Sequence, residues 1–397
     1  MKKINNYLFY YLLILLSFSY FFLFIKHQVG NDSTISEWLI NYEGGFTKRG
    51  LTGQFAIETS RFFGADLRWV IYLIQSFVCT CYFILLYNLL KKLKYERVII
   101  LSILSPIFIL YPVAEIEVLA RKEIIVFSLF LIYLFIPRNS FLKSFSLICF
   151  SVLSILIWEP IIFFYFLLLI YEIIDRKIEK FNFEFLKIFL CFIPSLIIAL
   201  IIIFDPLSKD QHEIMALVLK NEFNQSCYMS CALLKGKSTI IQQFEGNFGS
   251  YSLEVFVRYF LIVLIGFFPL NLLIKNSFLN NNNLIFVKIF RSLLKLFWIC
   301  LLPVTILFAM GYDWGRWVNI TYVFLALIYF KLLIDNHIVL NFKNLEQNFL
   351  YKIRGKTFVI FFIIFCFGWN PKTVITGDVA SFPGYRIPYK VFKILSN

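Results

Sequence analysis

The chain of 397 residues is unusually apolar: 60% of its residues are hydrophobic, 16% are charged, and 50 are phenylalanine. A soluble domain carries about 25% charged residues, and its core could not bury the repeated apolar runs of about 15–22 residues found in this sequence. We therefore expect an all-α polytopic membrane protein. The formal net charge of +14 is interpreted as a sign of topology and of contact with anionic lipid at the cytoplasmic face, not of nucleic-acid binding.

The first apolar run, residues 7–25, follows the short basic sequence MKKINN. A signal peptide has a shorter apolar region and a small-residue cleavage site, and the sequence KHQVGND after this run provides no such site. The run is therefore interpreted as a retained first span. The sequence predicts a single transmembrane domain over residues 1–397. Its eleven predicted spans are 7–25, 69–90, 98–113, 124–137, 144–158, 160–174, 186–204, 255–274, 289–310, 318–334 and 357–370.

Two of these spans, 124–137 and 160–174, are short and adjoin the polar sequences EIEVLARKE and WEP, so we expect broken or re-entrant helices there. The distribution of Lys and Arg over alternate loops places the N-terminus in the cytoplasm. Two large outer loops, 26–68 and 205–254, follow from this orientation. The second contains HEIMALVLKNEF, a candidate amphipathic helix that could lie on the membrane surface.

Cysteine and histidine residues point to no metal site. Cys227 and Cys231 fall in the second outer loop, where a structural disulfide and two free thiols are both open alternatives. The other cysteines lie in spans and are interpreted as small apolar residues. His27, His212 and His337 share no metal-ligand spacing with the loop thiols, so no metal or cofactor is predicted.

Charged residues gather in four polar clusters at or between span ends. The clusters are NYEGGFTKRG near residue 41, AEIEVLARKE at 114–123, WEP at 158–160 and GYDWGRW at 311–317. Charges at membrane depth usually face a protein interior or a water-filled cavity, so these clusters are predicted to converge on one outward-facing cavity. The expected basic members are Lys48, Arg49, Arg121, Lys122 and Arg316, and the expected acidic members are Glu43, Glu115, Glu117, Glu123, Glu159 and Asp313.

Each cluster also has a purely structural interpretation. Arg121, Lys122 and Glu123 could anchor a helix end at the headgroups, and Glu159 could be solvated at a helix end. Asp313 and its neighbour three residues on could form a simple ion pair between interfacial tryptophans, and the glycines near residue 44 could serve turns only. Anchoring alone does not account for so many carboxylates beside the basic residues.

The functional interpretation is binding of a phosphorylated lipid. Arginine and lysine beside flexible glycine backbone suit a phosphate or pyrophosphate at the headgroup level. A nearby carboxylate can deprotonate a sugar hydroxyl while the basic groups stabilise the departing phosphate. Such chemistry is that of a glycosyltransferase with a polyprenyl-phosphate-linked donor, whose lipid tail stays in the bilayer.

In its span number, its two large outer loops, its Phe-, Ile- and Asn-rich composition and its outer arginine and acid clusters, the chain resembles bacterial O-antigen and capsule repeat-unit polymerases. Its first outer loop, with Asp32, Glu37 and Glu43, is also similar to that of GT-C lipid-linked-sugar transferases. The resemblance implies a multi-pass protein of the bacterial cytoplasmic (inner) membrane. It further implies an undecaprenyl-linked glycan as substrate and other polysaccharide-assembly membrane proteins as partners.

What the resemblance implies is transfer of a glycan block from undecaprenyl pyrophosphate to another lipid-linked repeat. Glu43 or Asp313 is the candidate catalytic base. Two alternatives remain open: a GT-C enzyme that adds a single sugar, and a flippase or transporter of the lipid-linked repeat. The candidate substrate-binding residues are Lys48, Arg49, Arg121, Lys122, Glu159 and Arg316.

Overall fold

The computed structural model shows a helical protein, and within the described residues its regular strands are two short ones of three residues each. The fold class predicted from composition, an all-α membrane protein, is in this respect confirmed. The described residues are 2–28, 33–138, 141–235, 240–281, 284, 292–353, 355–375, 392 and 395–396.

The first half of the chain contains long apolar helices, and polar side chains cap the start of α4 and α11. The carboxylate of Asp66, for example, accepts hydrogen bonds from the backbone N–H groups of Arg68 and Trp69 and so begins α4. The elements are α1 (Lys2–Gln28), α2 (Ser33–Trp38), α3 (Gly50–Phe63), α4 (Leu67–Leu90), α5 (Arg97–Ile103), α6 (Leu110–Ala114), α7 (Ile116–Leu119), α8 (Glu123–Phe135), α9 (Phe141–Ile157), a 3-10 helix (Glu159–Phe164), α10 (Tyr165–Asp175) and α11 (Phe183–Phe204).

Helices of the second half are interrupted more often, and a two-stranded antiparallel sheet joins two of the connections, with Ser277 opposite Leu340. The elements are α12 (Lys209–Phe223), a 3-10 helix (Ala232–Lys235), α13 (Ile240–Phe248), α14 (Leu253–Gly266), α15 (Phe268–Lys275), β1 (Ser277–Leu279), α16 (Leu293–Cys300), a 3-10 helix (Leu302–Val304), α17 (Thr305–Met310), α18 (Trp314–Ile334), β2 (Ile338–Leu340), α19 (Phe342–Glu346), α20 (Phe349–Lys352) and α21 (Gly355–Phe367).

Five helical stretches among the described residues are long and apolar enough to cross a bilayer: α1, α4, α11, the stretch Leu293–Met310, and α18. The pair α14 and α15, bent by 50°, would together form a sixth. Helices α8, α9 and α21 are apolar but shorter. The chain is therefore a multi-pass membrane protein by helix length and composition, and the count of eleven spans stays a prediction.

Proline residues account for much of the difference between predicted spans and observed helices. The predicted span 98–113 is divided into α5 and α6 by an irregular stretch that includes Pro106. The span predicted at 160–174 begins as a 3-10 helix with Pro160 in its first turn. The breaks expected beside EIEVLARKE and WEP are thus present.

Helix α18 is the centre of the bundle. In its most apolar stretch 83% of the residues are buried by other parts of the protein, against 28% for α1. It contacts α4, α8, α10, α14 and α17. The outer helices therefore present apolar side chains outward, while α18 is enclosed by protein.

The two long loops pack against each other and form a small separate core. Trp38 and Leu39 of the first loop lie in one apolar cluster with Met215 and Leu219 of α12. We call residues 209–235 the cap. Helix α12 confirms the helix predicted there, but it buries one face in this core instead of lying wholly on the membrane surface. The cap is closed by a disulfide between Cys227 and Cys231.

Candidate functional site

Charged side chains from all four polar clusters meet at one end of the helix bundle. They form a continuous series of ion pairs and hydrogen bonds, which we call the charge network, and the end of the bundle that carries it is called the network end. Its members are Glu37, Arg49, Arg121, Lys122, Glu123, Glu159, Asp313 and Arg316. The predicted meeting of the clusters is thus observed for part of the expected set, and the outward-facing cavity stays a prediction.

Arg49 joins the first and third clusters. It directly precedes α3 with a φ of 61°, in the left-handed region that few non-glycine residues adopt. Its Nε and Nη2 donate to the two carboxylate oxygens of Glu159 at 2.7 and 2.8 Å, and its Nη1 donates to Glu37 at 2.8 Å. This two-pronged contact fixes the plane of the guanidinium group as well as its position.

Glu37 is the buried connection between Arg49 and the second cluster. It lies in α2 with no exposed surface, and its other carboxylate oxygen accepts a hydrogen bond from Nη1 of Arg121 at 3.2 Å. Burial by itself raises the pKa of Glu37, but the charges of Arg49 and Arg121 outweigh burial and hold that pKa far below its usual range. Glu37 is therefore an ionised carboxylate inside the protein.

Asp313 and Arg316 complete the network from the start of α18. Oδ2 of Asp313 accepts a hydrogen bond from Nη1 of Arg316 at 2.8 Å and lies 4.0 Å from Nη2 of Arg121. Arg316, almost fully buried, also pairs with Glu123 at the start of α8. The simple ion pair considered from sequence is therefore present, but as one part of a larger assembly.

Lys122 is a buried amine against the same assembly. Its Nζ donates to the backbone oxygen of Arg49 at 2.6 Å and lies 6.0 Å from the ring centroid of Trp38. Burial is the main cause that lowers the pKa of Lys122 to about 7. A headgroup anchor would be exposed, so this residue is an internal part of the site.

The glycines of the first loop allow close packing of backbone on backbone. A Cβ at Gly44 would overlap the backbone oxygen of Gln211 in the cap, and a Cβ at Gly53 would overlap that of Ile40. Gly50 likewise lies against the ring of Tyr42. These three positions require glycine because no side chain would fit there. The close backbone packing they allow lies directly beside the charged residues of the same stretch.

Glu43, one of the two candidate bases, lies in a second and more exposed cluster. Its Oε1 accepts hydrogen bonds from Arg61 at 2.7 Å and from Gln54 at 2.9 Å. Arg61 also binds Glu58 at 3.1 Å and Glu222 of the cap at 2.9 Å. The hydrogen bond from Arg61 is the main cause that lowers the pKa of Glu43. Arg61, which Glu43 helps to hold in place, thus fastens the first loop to the cap.

Three further predicted residues lie at the margin of the site or beyond it. Lys48 is half-buried and is close enough to Glu159 to attract it electrostatically. Glu115 accepts hydrogen bonds from Asn370 and Lys372 at 2.9 and 3.1 Å instead of joining the network. Glu117 is exposed. Asp32, named with the first-loop acids, lies outside the described residues.

The charge network has a buried floor and an accessible edge. The side chains of Glu37, Glu123 and Arg316 are at most 2% exposed, whereas those of Arg49, Glu159 and Asp313 are 19–22% exposed. Several buried N–H groups beside or within the network have no hydrogen-bond partner in the described part of the chain. These donors are Nε of Arg121, Nε of Arg316, Nε1 of Trp158 and Nε1 of Trp317. These four groups are enclosed by protein, so an oxygen-rich ligand at the edge would meet the partly exposed guanidinium group of Arg49 instead.

His212 lies beside the cap disulfide, which the sequence spacing did not indicate. Its Nε2 is 3.4 Å from Sγ of Cys227, and the three residues have the separations of metal ligands. Both sulfurs are joined in the disulfide, so they cannot act as the thiolates that zinc requires. The group is thus a structural part of the cap.

A second buried charged cluster was missed by sequence reasoning. Arg176 donates to Glu172 at 2.8 Å, while Asp175 lies 3.6 Å from Nζ of Lys143 and 3.4 Å from Nε2 of His337. Glu172 was assigned to an apolar span and Lys143 to a short connection. Glu172 and Asp175, two acids at the end of an apolar span, could have indicated this cluster, because acids there seldom face lipid.

No family model, no curated protein and no solved structure matches this chain. Its function has to be argued from the site itself.

Proposed function

We propose that the protein is a membrane glycosyltransferase that acts on undecaprenyl-linked glycans, as a polymerase of O-antigen or capsule repeat units. The observation that supports this is the charge network, in which arginines from three separate junctions lie beside carboxylates at one end of an apolar bundle. A lipid-linked pyrophosphate has its charge at the same depth as such a site and its tail among the spans.

The proposed topology has eleven spans, a cytoplasmic N-terminus and the two long loops outside the cytoplasmic membrane. The shorter helices α8, α9 and α21 would serve as spans. Helices α8 and α9 pack within the bundle, where neighbouring protein surrounds their ends, whereas α21 buries only Phe365 and Cys366. The excess of Lys and Arg in the loops assigned to the cytoplasm supports this orientation. The network end then faces outward, where repeat units are joined.

Asp313 is the better candidate for the base. Its side chain is 21% exposed, and both of its guanidinium contacts, to Arg316 and Arg121, are made through Oδ2. Glu43 binds Arg61 and Gln54 in the cluster that fastens the cap. We therefore assign the base role to Asp313 and a structural role to Glu43.

In the proposed step, a hydroxyl of the acceptor sugar attacks the anomeric carbon of the donor glycan. The bond between that carbon and the pyrophosphate oxygen breaks, so undecaprenyl pyrophosphate leaves with the electron pair, and Asp313 accepts the hydroxyl proton. Arg49 and Lys48 at the edge, with the charge of Arg121 behind them, stabilise the negative charge of the leaving group. Glu37 and Glu159 hold the arginines in position.

A single-sugar transferase of the GT-C kind is the second candidate. Glu37, an acid of the first long loop, lies at the centre of the network between two arginines. This position is the specific observation in favour of the second candidate, since an acid in that loop commonly takes part in catalysis in GT-C enzymes.

The test is deletion of the gene and complementation with variants, followed by gel analysis of surface glycan. Asp313→Asn should restore little polymer and leave single-repeat products, because loss of a general base slows a reaction by roughly 10²–10⁴-fold. Glu58→Gln, which alters an exposed carboxylate outside the network, is the matched control and should restore normal polymer. Immunoblots establish equal protein levels.

Normal polymer from Asp313→Asn at equal protein level would remove Asp313 from the mechanism. A missing side branch in the deletion strain would indicate the single-sugar transferase. Accumulation of the lipid-linked repeat on the cytoplasmic leaflet would indicate a flippase.

A further inference from the structure

Helix α3 is apolar on two opposite faces. Ala56 and Ile57 are buried against the protein. Phe55, Phe62 and Phe63 are among the most exposed aromatic side chains of the described residues, and Phe62 is 82% exposed. A surface helix in water normally keeps one polar face, so the second apolar face of α3 needs an apolar neighbour.

The exposed side of α3 carries a shallow, widely open depression between its own side chains, which we call the groove. Phe55, Glu58, Thr59 and Phe62 follow the i, i+3, i+4, i+7 spacing and therefore share one side of the helix. The only cation lining the groove, Arg61, already binds three carboxylates, those of Glu43, Glu58 and Glu222. The groove therefore carries no spare positive charge for an anion, and its binding capacity lies in its aromatic walls. Its lining residues are Phe55, Glu58, Thr59, Arg61, Phe62 and Phe63.

A tight turn between α3 and the membrane span α4 fixes the position of α3 relative to that span. The helix ends at Phe63, Gly64 turns the chain with a φ of 59°, and Asp66 caps the start of α4. The carboxyl end of α3 and the groove are therefore only a few residues from the beginning of a span of 24 residues.

Aromatic residues mark the membrane interface at this level. Trp69, in the first turn of α4, is 45% exposed and packs against His27 and Phe24 near the end of α1. Tryptophan at span ends is typical of the bilayer interface. Further along α4, Leu73 and Phe77 are exposed on the surface that lipid must cover. The phenylalanines of α3 continue this apolar surface beyond the start of the span.

We propose that α3 lies in the bilayer interface at the network end and that its groove binds a hydrocarbon chain of a membrane lipid. The proposal does not depend on the glycosyltransferase function. It gives α3 a positioning role, because the same helix directly follows Arg49 of the charge network and carries the lipid-facing groove near its other end. A second copy of the protein, or another apolar protein surface, is the competing occupant.

The test is site-directed spin labelling of the full chain in phosphatidylcholine vesicles. A nitroxide at Phe62→Cys should collide readily with oxygen, which partitions into lipid, and several-fold less with a water-soluble nickel chelate. Leu73→Cys on the lipid-facing side of α4 is the lipid control, and Glu213→Cys on the cap, 61% exposed, is the water control. Labelled wild type supplies the background from the six free cysteines.

A label at Phe62 that behaves like the one at Glu213 would overturn the proposal. Low access to both reagents would also overturn it, because the groove would then be covered by protein. Phe55→Cys, two turns earlier on the same side of α3, provides a second site if the first variant fails to fold, and it should report the same preference for oxygen. The vesicles contain no undecaprenyl lipid, so the result is independent of the glycan assay.

Discussion

Glu37 compensates the positive charges of Arg49 and Arg121, which lie close together inside the protein. Its two carboxylate oxygens are shared between Arg49 and Arg121, and no part of it is exposed. Glu37→Gln removes the negative charge while keeping the shape of the side chain. We expect a loss of about 3–5 kcal/mol in the free energy of unfolding, since breaking a buried ion pair leaves charge without compensation.

Denaturant unfolding of the purified protein in detergent, followed by tryptophan fluorescence, measures this loss. Glu58→Gln is the control, because its carboxylate pairs with Arg61 at the surface, where such pairs contribute about 0–1 kcal/mol. Equal stability of the two variants would show that the buried pairs contribute no more than the surface one.

Lys122 should make stability depend on pH near neutrality. Its pKa is about 7 in the folded protein and 10.5 in its ordinary state. Between these values the unfolded chain binds a proton that the folded protein does not, so the stability contributed at this site rises with pH. Below pH 7 the cost of burying the charged amine is present in full.

Lys122→Met lacks the titrating amine and provides the comparison. Between about pH 7 and about pH 9, the free energy of unfolding of the wild type should rise by about 1–3 kcal/mol relative to that of the variant. Unfolding curves at several pH values measure the difference. Parallel pH dependence of the two proteins would contradict a lowered pKa at Lys122.

The sequence allowed most of the charged site residues to be identified, but it did not show which of them form ion pairs with one another. Arg49, Arg121, Asp313 and Arg316 were identified because charges at span ends are rare and seldom face lipid. Sequence could not decide between Glu43 and Glu37 as the partner of Arg49, because the choice depends on how α2 and the glycine loop fold back on each other.

Helix α3 packs closely against the loop before it, and this contact requires a glycine at position 53. Gly53 lies where a Cβ would overlap the backbone oxygen of Ile40, and backbone cannot move aside as a flexible side chain can. We expect Gly53→Ala to lower the free energy of unfolding by about 1–3 kcal/mol, or more, through overpacking. Thermal unfolding in detergent measures the effect.

Gly246 in α13 is the matched control. A Cβ at this position meets no atom within 4 Å. Gly246→Ala should therefore leave stability unchanged or raise it by up to about 1 kcal/mol, because alanine favours a helix. A Gly53→Ala protein as stable as this control would show that the loop can shift to make room.

Element lengths were less predictable than element types. Apolar runs identified most of the helices, but hydropathy does not show where a helix breaks or bends within such a run. Pro106 and Pro160 interrupt two predicted spans, and the chain bends by 50° between α14 and α15, next to Pro269. Such breaks are tolerated because protein, and not lipid, surrounds them.

For the whole molecule, composition predicted a helical membrane protein but not which helices lie at its centre and which at its periphery. Phenylalanine and leucine face lipid and protein alike, so the sequence does not distinguish α1 at the periphery from α18 at the centre. The polar residues near the start of α18 did indicate its position, since Arg316 and Asn319 are buried and bind Glu123 and Ile107 from earlier parts of the chain.

The enclosed position of α18 also has a consequence for biogenesis. Its helical neighbours α4, α8, α10, α14 and α17 precede it along the chain, whereas β2 and residues 372–373, which also contact it, follow it. When ribosomes deliver this segment to the membrane, the helices that shield Arg316 and Asn319 have already been synthesised. Insertion of α18 can therefore bring Arg316 and Asn319 directly against helices that are already in the membrane, before the last predicted span, 357–370, is made.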